Sequence, residues 1–183
     1  MNSRILIVIV IGAIVAAGAF ILKLTQPISD LKTKANLITI TSPAFKNNQF
    51  IPARYTCDGE NISPPLSFGE IPAASQSLVL MVDDPDAPAG TWNHWTVWNI
   101  DPSTTKIGEN SLPTGVTEGL TSFGTIGYGG PCPPSGTHRY FFKLYALDTK
   151  LNLPQTTPKK ELASALAGHL LGQAELIGLY SQK

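Results

Sequence analysis

Polar and apolar positions divide this 183-residue chain into three unlike regions. Ile5 to Leu22 is an uncharged, mostly apolar run closed by Arg4 and Lys23. Thr25 to Asn36 is polar, with Pro27, Ser29, Asp30 and lysines close by. From Leu37 onward, short β-branched and aromatic runs alternate with stretches dense in Pro, Gly, Asn and Ser. In that third region Ser77–Val82 is apolar without alternation, the pattern of a strand buried on both faces. His94–Ile100 and Arg139–Leu147 have strand composition, Leu37–Ile40 forms a first short strand, and Ala174–Tyr180 a last one. Residues 42–69 and 101–137 are loop-rich. One helix is expected near the end, with Thr157 as cap and Pro158 at its first position. Leu162, Ala165, Leu166 and Leu170 form its apolar stripe, and His169 sits on it with no role in a site.

The first region has the length of a membrane span, which takes roughly 17–25 residues. Its positive start, apolar middle and Ala17-Gly18-Ala19 also suit a signal peptide with a cleavage site. The expected organisation is a signal peptide or transmembrane anchor over 1–24, a linker over 25–36, and a domain over 37–183. That domain would be membrane-anchored or secreted, on the extracytoplasmic side, with the membrane as a partner through the N-terminal segment. The 16 glycines and 15 prolines imply many turns and few long helices, hence a mostly β fold.

Thirteen basic and thirteen acidic residues leave no net charge, so nothing points to a nucleic-acid partner, which would require a basic face. The length suits one domain with a real core. Cys57 and Cys132 are the only cysteines. In an exported chain such a pair suggests a disulfide; two separate buried thiols are the alternative.

The chemistry concentrates in two runs. Asp84-Pro-Asp-Ala-Pro88 follows the buried strand, and its two prolines make a stiff turn that holds two carboxylates at a strand end. Asp83 adds a third carboxylate, pointed away from Asp84 by strand alternation. Gly129-Gly-Pro-Cys-Pro-Pro-Ser-Gly-Thr-His-Arg-Tyr140 is a rigid loop that can present backbone amides, His138 and the Tyr140 hydroxyl to an anion. His94 opens the strand between them. A phosphate would be repelled by two Asp unless at least one His is protonated, so anion binding should tighten below about pH 6.5.

These motifs, in this order, resemble the phosphatidylethanolamine-binding protein family. Tyr55-Thr-Cys-Asp-Gly-Glu-Asn-Ile-Ser-Pro-Pro65 is similar to its bacterial and archaeal, Raf-kinase-inhibitor-like branch. The resemblance covers Ile38 to Tyr180. It implies a β-sandwich-type domain with a large central antiparallel sheet, a smaller sheet and one or two helices. It also implies a pocket for phosphate-like anions built from Asp84, Asp86, His94, Pro134, His138 and Tyr140, with Ala87 and Gly130 at its opening. The expected function is non-catalytic binding of a small phosphorylated molecule or a phospholipid head group, without metal or cofactor, and with a regulatory role involving an unidentified protein partner. Two alternatives stand beside it. One is a kinase or protease inhibitor acting through surface loops. The other is an acid–base enzyme using His94, His138, Asp84 and Asp86, although no His-Glu-x-x-His spacing or activated Ser or Cys is visible.

Overall fold

The computed structural model describes residues 38–182. Its strands are Thr39–Thr41 (β1), Gln49–Phe50 (β2), Leu66–Gly69 (β3), Ser77–Asp84 (β4), Trp92–Ile100 (β5), Lys106–Ile107 (β6), Thr117–Glu118 (β7), His138–Leu147 (β8) and Leu170–Tyr180 (β9). Lys159–Ala165 is an α-helix (α1), and Ala53–Tyr55 is a 3₁₀ turn. The large sheet runs β2-β9-β8-β4-β5-β7 and the small one β1-β3-β6. Pairing is antiparallel except between β2 and β9.

β4 lies between β8 and β5, and every residue of it is buried. Its unbroken apolar pattern follows from having a core on each side. Leu78, Leu80 and Val82 pack with Ile40, Phe68 and Phe142 in one cluster. Val79 and Met81 pack with Trp98, Leu162 and Leu166 in another, under α1. Period-two alternation thus divides a continuous apolar run between two cores.

β5 departs from regular alternation twice. Between its pairs Leu78↔Ile100 and Leu80↔Val97, β5 advances three residues against two on β4. Asn99 takes up part of the excess with φ 61°. Between Val82↔Trp95 and Asp83↔Asn93 the extra residue is His94. Such bulges re-aim a side chain that regular pairing would send to the opposite face.

Helix α1 is shorter than its apolar stripe predicts. Gly168, at φ 83°, takes the left-handed conformation that ends helices, so Leu170 begins β9 instead. Pro158 occupies the cap position, and the buried Thr157 hydroxyl forms no capping bond. His169 lies in the turn before β9, with Nδ1 2.7 Å from Asp148 Oδ1. The expected anchor and linker, 1–36, lie outside the described residues, as does Leu37. The expectation of a membrane-anchored or secreted domain needs correction. Among the described residues no helix is long and apolar enough to cross a membrane; α1 has 7 residues where about 20 are needed.

Leu80 is fully buried where the two sheets face each other. Leu80→Ala should lower unfolding free energy by about 2–5 kcal/mol, measured by urea denaturation of the purified protein.

Candidate functional site

The end of β4 sends two adjacent carboxylates to opposite faces. Asp83 turns toward the helix side and pairs with Lys159 Nζ at 2.6 Å and Lys143 Nζ at 3.3 Å. Asp84 turns the other way. The Asp86 amide donates to its Oδ1 at 2.8 Å, closing an Asx turn, and its Oδ2 lies 2.7 Å from His138 Nδ1. Both members of that pair are buried. A carboxylate beside one imidazole nitrogen fixes the ring's orientation and leaves the other nitrogen outward.

Asp86 faces away from this pair. Arg139 grips its carboxylate from Nε at 2.9 Å, from a terminal nitrogen at 2.7 Å and from its own backbone amide at 3.0 Å. Principally through the guanidinium, these contacts hold the Asp86 carboxyl down to about 2. The acid expected in the pocket is instead consumed in bracing its rim against β8.

His94, the extra residue of the β5 bulge, is anchored at both ends. Nδ1 lies 2.7 Å from the Gly129 carbonyl, which can only accept, so Nδ1 carries the proton. The Gly129 amide in turn donates to the His94 carbonyl at 2.9 Å. The ring stands edge-on to Tyr140 and to Phe123, at 5.1 and 5.3 Å between centroids. Burial pushes this imidazole below its ordinary range. The Tyr140 hydroxyl is fully enclosed, and burial raises it well above the usual phenol value, against the smaller opposing effect of the Cys132 backbone.

The loop from Gly129 to Thr137 is fastened to residues 55–61. Cys57 and Cys132 form a disulfide. The Cys57 amide donates to the Pro131 carbonyl at 3.1 Å, and Tyr128 Oη donates to the Tyr55 carbonyl at 2.8 Å. The Gly130 amide donates to Asn61 Oδ1 at 2.8 Å. A Cβ on Gly130 would stand 2.7 Å from the Tyr55 carbonyl oxygen and 2.8 Å from Thr56 Cα. Close backbone approach, not ligand contact, therefore accounts for this glycine.

These elements enclose a cleft of about 340 Å³. Asp84 and His94 supply its polar wall, and Ala87, Pro88 and Ala89 one rim. Trp92, Phe123, Cys132 and Pro134 complete it. Of the expected pocket residues, Asp84, Ala87, His94 and Pro134 line the cleft. His138 contacts Asp84, Tyr140 supports the His94 ring, and Asp86 and Gly130 face elsewhere. Trp92 and Phe123 are lining residues beyond those expected from the sequence. Trp92, two residues before His94, was within reach of an argument from strand composition. Phe123 sits in a loop placed by contacts distant in sequence: the Ser122 amide donates to the Asn93 carbonyl, and Leu120 bridges Ile126.

A family model described as phosphatidylethanolamine-binding protein matches residues 41–181. The chain belongs to that family. It is similar to the UPF0098 protein of Methanothermobacter thermautotrophicus, 52% identical over 148 residues, which cover 78% of this chain and 98% of that protein. The UPF0098 protein of Pyrococcus horikoshii is 50% identical over 150 residues, covering 78% and 76%. Among solved structures, the phosphatidylethanolamine-binding protein homologue CT736 of Chlamydia trachomatis aligns with TM-score 0.78 and 42% identity, over 81% of this chain and 99% of its own. YbcL of E. coli, described as a new member of the mammalian family, aligns with TM-score 0.76 and 32% identity, over 80% and 99%. The two-sheet, mostly β domain is thus a phosphatidylethanolamine-binding protein fold.

Two outcomes follow for this site. The disulfide closes a sequence separation of 75 residues, so Cys57→Ser with Cys132→Ser should cost about 4 kcal/mol in the chain-entropy account, measured by denaturant unfolding. A folded imidazole held below its unfolded value contributes stability that is complete above about pH 6.5 and is lost as pH falls toward the folded value. His94→Gln should flatten that acid-side loss in thermal unfolding followed across roughly pH 4 to 8.

Proposed function

We propose that the cleft binds phosphate-like anions without catalysis, presented by a small phosphorylated molecule or by a phospholipid head group. The observation that carries this reading is the His94 ring, whose Nδ1 is committed to a carbonyl that can only accept. Its Nε2 is the nitrogen left for a ligand. In the neutral ring Nε2 offers a lone pair and opposes an anion; once protonated it is a charged donor. Burial disfavours that charge in the empty cleft, and a bound anion supplies the missing counter-charge. Binding therefore takes up a proton, and affinity rises as pH falls below about 6.5.

The neighbouring carboxylate interferes less than its charge alone would imply. Both Asp84 oxygens are engaged, one by the Asp86 amide and one by His138. The apolar rim of Trp92, Phe123 and Ala87 suits the carbon skeleton next to a phosphate. Cys132, the thiol-type side chain on the wall, is held in the disulfide and is not a nucleophile. Membership of a binding-protein family supports the same reading.

Isothermal titration with inorganic phosphate and with glycerophosphoethanolamine tests it. Saturable binding should be tighter at pH 5 than at pH 8, and His94→Ala should weaken it about tenfold or more. An affinity that is flat in pH, or untouched by that substitution, contradicts the proposal. A glycerophosphoethanolamine affinity well above that of phosphate would favour a head group over a free phosphorylated molecule.

A further inference from the structure

A second cavity, of about 260 Å³, shares no residue with the cleft. Its polar lining is Asn61, Ser63, Asn110, Ser111 and Glu118. Glu118 ends β7 at the edge of the large sheet, and the buried Trp95 indole N–H donates to its Oε1 at 2.8 Å. That bond fixes the carboxylate in place. Its other oxygen, Oε2, has no hydrogen bond or ion pair among the described residues.

Several other acids of the fold are matched with bases. Asp83 has Lys143 and Lys159, Asp84 has His138, Asp86 has Arg139, and Glu109 has Arg54 at 3.0 Å. Glu118 differs: it is half-buried, immobilised by an indole, and stands in a cavity with no Lys, Arg or His on its wall. Gly127, at φ 102°, forms the wall beside it. A fixed carboxylate with a spare oxygen in a cationless concavity selects a cation, and its remaining lone pairs match the N–H donors of an ammonium. The rest of the wall matches hydroxyl groups. Asn61 spends Oδ1 on the Gly130 amide, which leaves its NH₂ as a donor, and Ser63, Ser111 and Asn110 both donate and accept.

We propose that this cavity binds a small hydroxylated primary amine, with its ammonium on Glu118 and its hydroxyls on the Asn and Ser side chains. Glucosamine is a suitable probe, because glucose has the same ring and hydroxyls without the charge. Titrated into the full chain and followed by backbone amide NMR, glucosamine should give saturable shifts at Asn110, Ser111, Gly127 and Tyr128. Glucose should bind about tenfold more weakly or worse. Glu118→Gln retains an oxygen for the Trp95 indole and should lower glucosamine affinity by a similar factor, leaving the phosphate response at His94 unchanged. Should that variant misfold, Ser111→Phe, at an exposed rim position, fills the mouth without touching the Trp95–Glu118 bond and should also remove the response. The proposal is overturned by the absence of saturable shifts, by shifts confined to the His94 cleft, by equal affinity for glucose, or by a folded Glu118→Gln or Ser111→Phe protein that binds undiminished. Because the phosphate response is read separately, its failure would not be mistaken for failure at Glu118.

Discussion

A strand buried on both faces cannot end in two carboxylates unless each finds a hydrogen-bonding partner on its own side, since an unpaired buried charge costs several kcal/mol. β4 ends in this way. Asp83 meets Lys143 of β8 and Lys159 at the start of α1, which ties the helix to the sheet it covers. Asp84 meets His138 at the start of β8, which fixes where the glycine- and proline-rich loop re-enters the sheet. The helix-side core and the cleft are thus located by adjacent residues of one strand.

The strands were legible in the sequence because their signal is local: an unbroken apolar run, or β-branched and aromatic residues between turn formers. The opposed directions of Asp83 and Asp84 were legible for the same reason, from the two-residue period. The apolar stripe predicts too long a helix because it continues through Leu170, while Gly168 already ends the helix. There, backbone conformation outweighed side-chain periodicity.

The cleft was legible as two runs of residues but not as a set of contacts. Asp86 reads as a pocket acid until Arg139 is placed. β8 points Arg139 away from the side of His138 and Tyr140, toward the outer carboxylate. Gly130 reads as a rim residue until its distance from the Tyr55 carbonyl is known. Phe123 and Glu118 gave no local signal, because each depends on a pairing across the sheet or between loops. His94 is legible as a pocket residue, but the aim of its ring depends on a bulge, which is a property of strand register and not of the residues that form it.

The two jaws of the cleft are built to unequal stiffness. On one side the segment from Tyr128 to Cys132 is joined to residues 55–61 by a covalent bridge and three hydrogen bonds. On the other, residues 87–91 contribute one backbone hydrogen bond, from the Gly90 amide to the Ala87 carbonyl, inside their own turn. Under the proposed function, a guest too wide for the resting cleft would displace the Ala87 side first, while His94, held by the stiff jaw through the Gly129 carbonyl, would keep its aim. Compliance toward ligand size and accuracy toward ligand charge would then reside in different walls.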